Sequence, residues 1–291
     1  MRVCLMIEGQ EGVTWEQWRA LAATAEEAGF EALFRSDHYA SLGGHPGRGS
    51  LDAWSTINAL ATLTTRLTLG ALVSPATFRH PSVLAREVVT ADHVSNGRVE
   101  LGLGAGWHEG EHRAHGFPFE SVGVRFDRLA EQLEIVRRSW DAEPFDFEGR
   151  HYRLERADPL PKPVRRPRLI VGGSAAPRSV ALAKRWADEY NTTFADVDEC
   201  RRRAELVRPL PLSLMTGFLI GADEAELRAR AARLGADPIP PHWIAGTPEQ
   251  VVARLKQLEA AGVQRVMLQH LLHDDLGAVE LTGREVIPAV G

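Results

Sequence analysis

Two hydrophobic patterns alternate along the chain, and together they predict its fold. Short, nearly unbroken apolar runs such as RVCLMI at residues 2–7 are typical of strands that are covered on both faces. Between these runs, apolar residues recur every three or four positions, as they do across residues 14–29, and this spacing predicts amphipathic helices. The eight predicted strands have the sequences RVCLMI, FEALFRSD, RLTLGALV, RVELGLG, RLIVGG, DEYNTT, LPLSLMTGFLIG and VQRVMLQ.

Strands that alternate with helices pair in parallel, because each connection must cross back over the sheet. Eight such units predict a closed (β/α)8 TIM barrel, an α/β fold, in one domain that spans residues 1–291. The alternation is interrupted at about 141–167, where the pattern becomes that of a small hairpin followed by a proline-rich stretch. We expect this segment to be an insertion in the barrel, either a lid or an edge over a pocket.

Composition narrows the class of protein but does not identify an activity. The 291 residues are 44% hydrophobic and 25% charged, and the formal net charge of −5 argues against nucleic acid and anionic membranes as partners. Cys4 and Cys200 form neither a disulfide framework nor a CxxC site. The apolar run at the start is shorter than that of a signal peptide, and no run approaches the roughly 18 residues of a membrane span. We therefore expect a cytoplasmic protein that acts on a small molecule.

The most informative stretch is VELGLGAGWHEGEH at residues 99–112, where a strand ends in glycines and ionisable side chains. It is not the dinucleotide fingerprint GxGxxG, because Trp107 or Glu109 stands where the third glycine is required. In a barrel, this position is the carboxyl end of the fourth strand, where active sites are built. The side chains clustered there are Trp107, His108, Glu109, Glu111 and His112.

Residues 108–112 also satisfy the HExxH spacing of zinc proteases. That motif needs a helix to bring both histidines to one face, and Gly110 in its middle disfavours a helix. A barrel strand end is also the wrong context for the motif. A zinc hydrolase is therefore the weaker alternative, and we predict no metal site.

Other predicted strand ends carry similar residues. The first strand is followed by Glu8 and the second by Asp37 and His38, although a lone Asp–His pair is more often a helix cap or a surface pair than a catalytic dyad. After the fifth strand, the segment GGSAAPR combines a glycine turn, the start of a helix and Arg178. Free backbone N–H groups, the positive end of the helix dipole and a guanidinium favour a phosphate group, with a tight turn that binds no ligand as the alternative.

At these residues the sequence resembles the bacterial luciferase-like flavin and deazaflavin oxidoreductases. The resemblance covers essentially the whole chain and is carried by MIEGQEGVTW, FRSDHY, LGALVSPATFRHPSVLARE, SNGRVELGLGAGWHEGEHRAHGFPF, FEGRHYRL, RPRLIVGGS and GTPEQVVARLKQLEAAGV. MIEGQEGVTW together with SDHY is similar to an actinobacterial subgroup that is usually described as dependent on coenzyme F420. The resemblance implies a (β/α)8 barrel with insertions at about 141–167 and 236–246, and by analogy a homodimer.

The resemblance also implies where the cofactor binds. Members of the family often have a non-prolyl cis peptide at the end of strand three, which here would fall near Ala71–Leu72 beside Val73. Ala105 and Gly106 would lie against the cofactor ring and allow its close approach. The other implied contacts are Trp107 for the ring and Gly172, Gly173, Ser174, Ala175 and Arg178 for the phosphate.

Two neighbouring residues are implied in catalysis. Asp37 matches a position that hydrogen-bonds the cofactor or orients its neighbour, and His38 matches the histidine that many members use near the reacting carbon. The chain departs from the sugar-phosphate dehydrogenases of the family, because Trp107 stands where they carry a glutamate that is proposed as an acid. An indole cannot transfer a proton, so we expect a wall for a flat or apolar substrate instead. The candidate substrate contacts are Glu8, His108 and Glu109.

We therefore predict an oxidoreductase that transfers a hydride between F420 and a small organic substrate, with His38 exchanging the matching proton. An FMN-dependent monooxygenase on the same barrel is the main alternative, since one ring site and one phosphate site serve both cofactors. A member without cofactor or activity is disfavoured because the pocket glycines and the Asp37–His38 pair are present. The residues leave open the substrate, the direction of the reaction and the oligomeric state.

Overall fold

The computed structural model describes residues 1–141 and 143–291, and its strands include all eight predicted apolar runs. Eight of them form a closed parallel barrel, in which each neighbour in the series β1-β2-β3-β4-β7-β8-β9-β11 is paired and β11 pairs again with β1. The (β/α)8 barrel predicted from the sequence is confirmed. The strands are β1 (Arg2–Ile7), β2 (Ala32–Arg35), β3 (Thr68–Pro75), β4 (Val99–Gly104), β5 (Phe145–Glu148), β6 (Arg153–Ala157), β7 (Arg168–Gly172), β8 (Glu189–Thr193), β9 (Leu212–Ile220), β10 (Ile244–Gly246) and β11 (Val263–His270).

Helices cover the outside of the barrel, and local sequence signals explain their ends. Thr14 and Thr247 each form a capping box with a glutamine three residues later, and Asn96 ends a helix in the left-handed conformation. Within the described residues, no helix is long and apolar enough to cross a membrane. The helices are α1 (Trp15–Glu27), α2 (Ala53–Ala61), α3 (Pro81–Ser95), α4 (Glu109–His115), α5 (Val122–Asp141), α6 (Pro177–Trp186), α7 (Val197–Val207), α8 (Glu224–Leu234), α9 (Pro248–Ala260), α10 (Leu276–Leu281) and α11 (Ile287–Val290).

The barrel strands are buried on both faces, which is why their sequences are almost continuously apolar. Outward side chains pack with the helices in one large core. Burial inside the barrel raises the pKa of the Cys4 thiol to about 12, so this thiol stays protonated and inert. The barrel interior is filled by Cys4, Met6, Ala32, Phe34, Leu72, Ile170, Met215 and Met267.

Buried ion pairs close the amino-terminal end of the barrel, which we call the base. Arg265 on β11 is fully buried, and its guanidinium lies 2.6 Å from Glu100 and 3.4 Å from Glu189. Arg168 reaches the same Glu189 at 3.2 Å. These residues stand near the starts of β4, β7, β8 and β11, so they join strands on different sides of the barrel.

The first insertion forms the predicted hairpin, with β5 and β6 paired antiparallel. Phe145 and Phe147 pack on Ile135 of α5, and Glu131 of the same helix accepts the backbone N–H of Tyr152 at 3.0 Å. The hairpin is therefore attached to the helix layer, and these contacts do not make it a lid over the strand ends. Ala142, inside the predicted insertion, lies outside the described residues.

The second insertion, at about 236–246, ends in the short strand β10. Its pairing with β9 begins at Ile244, which lies opposite Phe218, and extends to Gly246 opposite Ile220. The insertion is thereby anchored to the carboxyl-terminal half of a barrel strand.

One local prediction was wrong, because α4 forms directly after β4 in spite of Gly110. The Nδ1 atom of His108 caps this helix by accepting the backbone N–H of Glu111 at 3.0 Å, and Gly116 ends it in the left-handed conformation. Glu109 and Glu111 in the first turn complement the positive end of the helix dipole. These end effects outweigh the intrinsic cost of one glycine.

Candidate active site

The carboxyl ends of the barrel strands bring together residues that are far apart in the chain. β1, β2, β3, β4 and β7 are successive neighbours, so the segments that follow them share one rim, which we call the mouth. Glu8, His38, Val73, Trp107 and Gly172 all belong to these strand ends or to the segments that follow them.

The shortest polar contact of His38 is with Glu111 at the start of α4. His38 Nδ1 lies 2.8 Å from Glu111 Oε2, and the carboxylate also accepts the backbone N–H groups of Tyr39 and, at 3.2 Å, Ala40. Glu111 is almost completely buried. Three donors from one segment therefore fix its carboxylate, and the carboxylate in turn fixes the imidazole ring.

Each member of the His38–Glu111 pair shifts the pKa of the other. Burial alone favours the neutral imidazole, but the hydrogen bond and charge of Glu111, with the charges of Glu8 and Asp37, raise the pKa of His38. Burial likewise favours the protonated carboxyl, but the hydrogen bond and charge of His38, with the two backbone N–H groups, lower the pKa of Glu111. The arrangement therefore stabilises a protonated imidazole beside a carboxylate at the mouth.

Asp37 does not orient His38, in contrast to one of the two roles expected for it. Its Oδ2 atom accepts hydrogen bonds from Ser74 Oγ and from Arg79, each at 2.6 Å. Arg79 also reaches Asp52 at 2.9 Å and Glu87 at 3.2 Å. Asp37 is thus part of a buried network that ties the end of β2 to β3 and the start of α3, and Glu111 orients the histidine instead.

Glu8 forms the polar floor of the mouth. The Nε2 atom of Gln269 donates to Glu8 Oε1 at 2.6 Å, and the Nε2 atom of Gln10 donates to Glu8 Oε2 at 2.7 Å. Gln10 is in turn hydrogen-bonded to Ser36. Gln10, Ser36 and Gln269 are polar residues of this site that reasoning from the sequence missed.

The glycines of β4 and β7 make room for Val73. A Cβ atom would lie 2.8 Å from Val73 Cγ1 at Gly102, 2.7 Å from Cγ2 at Gly104, and 3.2 Å from Cγ1 at Gly172. The peptide bond between Leu72 and Val73 is cis, one residue later than expected, and the β3–β4 register shifts between Ala71 and Ser74. Val73 therefore packs among three glycines at the carboxyl end of the barrel. Because glycine has no side chain, the surface around Val73 is apolar and has no protruding groups.

The remaining residues that the family resemblance implies as contacts of the cofactor ring lie in different environments. Ala71 is fully buried in the outer core between barrel and helices, so its side chain faces away from the barrel interior. Ala105 is partly buried and packs against the same core. Gly106 has a φ of 79°, and a Cβ there would lie 2.7 Å from Thr77 Oγ1. The backbone conformation and the loop after β3 therefore require a glycine at position 106, whether or not a cofactor ring lies nearby.

The turn between β7 and α6 keeps the features expected of an anion site, with two exceptions. Ala176 caps α6 without any side-chain hydrogen bond, so the first N–H groups of this helix have no side-chain acceptor. The first exception is the backbone of the turn, since the N–H of Ala175 donates to Tyr190 Oη at 2.9 Å and the N–H of Gly173 donates to the carbonyl of Asn191 at 3.0 Å. Arg178 is the second exception, because its guanidinium binds the Asp127 carboxylate and the carbonyl of Gly123 on α5. A phosphate here would have to share Arg178 with Asp127.

The three residues that follow Gly106 have separate environments. The Trp107 side chain is 62% exposed, and its ring meets that of His38 edge-on with centroids 5.9 Å apart. His108 caps α4, whereas Glu109 forms an exposed ion pair with Arg113 at 2.6 Å. Trp107 is thus beside the candidate acid–base residue, while Glu109 is engaged with its own helix at the surface.

The HExxH spacing is used for structure. His112 Nδ1 lies 2.8 Å from the carbonyl of His108, and its Nε2 lies 2.7 Å from Thr77 Oγ1. Among the described residues, no cluster of three or more potential ligands is placed to hold a metal ion.

Comparison with known proteins identifies the family. The profile of the luciferase-like monooxygenases matches residues 3–237, and the chain belongs to this family. An FMNH2-dependent dimethylsulfone monooxygenase of Pseudomonas fluorescens (strain Pf0-1) is 27% identical over 94% of this chain and 86% of its own length. An F420-dependent glucose-6-phosphate dehydrogenase of Amycolatopsis mediterranei (strain U-32) is 26% identical over 92% of both chains.

Solved structures agree on the fold. An F420-dependent secondary alcohol dehydrogenase, in complex with an F420–acetone adduct, superposes with a TM-score of 0.83 over 100% of this chain and 99% of its own, at 19% identity. The family and its relatives make the chain a luciferase-like oxidoreductase, and these relatives include users of both F420 and FMN.

Proposed function

We propose that the protein transfers a hydride between coenzyme F420 and a small organic substrate in the mouth of the barrel. The observation that carries this proposal is the His38–Glu111 pair, a protonatable imidazole held at 2.8 Å by a buried carboxylate. The pair lies at the same end of the barrel as the apolar surface of Val73. A proton carrier beside a flat apolar surface is what a two-electron reduction next to a planar cofactor requires.

The residues of the mouth fit a deazaflavin. Val73 and its three glycines offer a surface without protruding side chains, against which a planar ring can lie closely. The uncapped start of α6 offers backbone N–H groups and the positive end of a helix dipole to a phosphate. Val73 and Trp107 would hold the ring, and Ser174 with the first N–H groups of α6 would hold the phosphate.

When bound, F420 supplies a carbon that donates or accepts the hydride. The protein supplies the proton and the position of the substrate. With His38 Nδ1 bound to Glu111, the Nε2 atom is the ring nitrogen left to exchange a proton with the substrate. In the direction of reduction, a C=C, C=N or C=O bond gains a hydride on one atom and this proton on the other, and Glu111 stabilises the imidazolium that carries the proton before the transfer.

A reduced-FMN monooxygenase is the second candidate. It is favoured by the dimethylsulfone monooxygenase, which matches the chain over most of its length. The Val73 surface and the α6 start serve either ring system, because both cofactors have a tricyclic ring and a phosphate. The two candidates therefore differ in the cofactor bound and not in the residues that bind it.

Binding measurements separate the two candidates. The purified apo protein is titrated with F420 and with FMN, and we expect the lower dissociation constant for F420. Tight binding of FMN without binding of F420 would reverse the choice of cofactor.

Turnover then tests His38. With reduced F420 and a panel of ketones and enones, His38→Ala should lower the rate by about a hundredfold or more while leaving cofactor binding largely unchanged. His45→Ala, in the exposed loop that follows, is the matched control and should retain full activity. Equal rates for the two variants would remove His38 from the mechanism.

A further inference from the structure

A second aromatic group lies near the carboxyl-terminal ends of β8 and β9, where β10 begins. Phe194 directly follows β8, its side chain is 46% exposed, and its backbone N–H donates to the carbonyl of Met215 at 3.0 Å. The Phe194 ring meets that of His242 edge-on, with centroids 5.6 Å apart. His242 and Trp243 belong to the second insertion, immediately before β10.

The indole of Trp243 lies over the barrel interior. A Cβ atom on Gly217 of β9 would overlap the indole ring, so the ring packs directly on the backbone at this position. Gly217 pairs in register with Gln269 of β11, and paired residues of parallel strands face the same side of the sheet. Gln269 points into the barrel, where it binds Glu8 at 2.6 Å. Trp243 therefore faces the same interior as the polar floor of the mouth.

Hydrogen bonds to backbone carbonyls hold His242 and Trp243 in place. The N–H of Trp243 donates to the carbonyl of Pro240 at 3.0 Å, and the carbonyl of His242 accepts the hydroxyl of Thr216 at 3.0 Å. The next residue, Ile244, begins the pairing of β10 with β9. The position of the indole is thus set by the barrel, and Gly217 is the residue that admits it.

We propose that Trp243, seated on Gly217 and preceded by His242, whose ring meets that of Phe194, forms the substrate-selecting wall of the mouth and favours neutral, ring-bearing substrates over phosphorylated ones. This inference rests on the proposed function, because it assumes that substrate enters the same mouth. Aromatic faces favour flat apolar groups. A phosphate requires cationic donors, and the indole and phenyl faces of Trp243 and Phe194 supply none.

The test uses a binding signal that does not depend on turnover. The indole N–H resonance of Trp243, assigned by its loss in Trp243→Phe, is followed while cyclohexanone or glucose 6-phosphate is added to the cofactor-loaded protein. We expect cyclohexanone to shift this resonance with a dissociation constant at least about tenfold lower than that of glucose 6-phosphate. Preferential binding of the phosphorylated sugar, or no shift with cyclohexanone, would overturn the proposal.

Three variants distinguish a specific role of Trp243 from a general loss of structure. Calorimetry measures how tightly each variant binds cyclohexanone. Trp243→Ala should weaken it about tenfold, Trp243→Phe should retain most of it, and Gly217→Ala should weaken it by displacing the indole without removing it. Trp15→Phe on α1 is the control and should change nothing. If Trp243→Ala binds cyclohexanone as tightly as the folded wild type, the wall has no role in selection.

Failure of the proposed function has a different signature. F420 and FMN are titrated into the same variants, and their dissociation constants should be unaffected by Trp243→Ala. If neither cofactor binds the wild type while cyclohexanone still shifts Trp243 in the apo protein, the proposed function fails and the wall stands. If a cofactor binds but cyclohexanone does not, the wall fails and the proposed function stands.

Discussion

The two ends of the barrel use buried carboxylates in opposite ways. At the base, Glu100 and Glu189 face Arg265, whose guanidinium keeps its charge at any working pH. At the mouth, Glu111 faces His38, whose charge depends on pH, and the Glu8 carboxylate accepts hydrogen bonds from the neutral amides of Gln10 and Gln269. A permanent cation makes the base a fixed structural element, whereas a titratable partner makes the mouth able to exchange protons.

The largest effect is expected at the base. Replacing Arg265 with leucine leaves Glu100 and Glu189 buried without their central cation, and this should lower the free energy of unfolding by about 3–5 kcal/mol. Urea denaturation at pH 7 measures the loss. The control is Arg284→Leu, which removes only the surface pair with Glu285 and should change stability by less than about 1 kcal/mol. Equal losses in the two variants would contradict the structural role of the base.

A buried histidine behind the mouth should make the fold sensitive to acid. Burial and the neighbouring His273 lower the pKa of His270 from 6.5 to about 4. The unfolded chain therefore takes up this proton below about pH 6.5, the folded chain only near pH 4, and stability is lost as the pH falls through that interval. The full loss is about 3 kcal/mol.

Denaturation of the wild type and of His270→Leu at pH 7 and pH 4 checks this prediction. The variant should lose less stability between the two pH values, because it no longer carries the group that the unfolded state protonates. An identical loss would show that His270 does not contribute to the acid sensitivity.

The Val73 surface can be disturbed without adding a charge. In Gly104→Ala the new methyl group would lie 2.7 Å from Val73 Cγ2, and we expect a loss of about 1–3 kcal/mol in stability together with weaker cofactor binding. Gly123→Ala on α5 is the matched control, since its methyl group would meet only Ser121 Oγ at 3.8 Å. Helix propensity predicts that this control is neutral or slightly stabilising. Unchanged cofactor binding in Gly104→Ala would show that Val73 is not part of the cofactor site.

The smallest effect on stability, and the most specific, concerns the pair at the mouth. The charge of Glu111 raises the pKa of His38, so Glu111→Gln should lower it. The contribution of the pair to stability is present between about pH 4.5 and 6.5, the ordinary pKa values of the two groups; it is lost as the pH rises through the folded pKa of His38 and as the pH falls through the folded pKa of Glu111. NMR titration of the imidazole measures the change, and the pH optimum of activity should move to lower pH with it. Glu109→Gln, two residues earlier in α4 and exposed, should leave the His38 titration where it is in the wild type.

The barrel could be predicted because its signal is local. Continuous apolar runs and helical periods repeat eight times, and each strand needs only its own sequence to be recognised. For the same reason the strand ends that carry Glu8, His38 and Gly172 could be assigned to one rim before the structure was known. The capping box at Thr247 is local in the same way, since it joins Thr247 to Gln250 three residues later.

The partners within the site could not be predicted in the same way. Glu111 reaches His38 only because α4 forms, and that helix depends on a histidine cap that outweighs Gly110. Asp37 is bound by Arg79, 42 residues further along the chain, and no spacing rule connects the two. Trp243 lies in an insertion without helical or strand periodicity, and its seat on Gly217 is visible only in three dimensions.

A crystal structure of the protein with F420 bound tests the central claim most directly. The account predicts that the deazaflavin ring lies against Val73 at the mouth, with its phosphate at the start of α6 and the His38–Glu111 hydrogen bond retained. A ring bound elsewhere on the molecule, or a ring at the mouth with His38 turned away from Glu111 and from the substrate side, would contradict it.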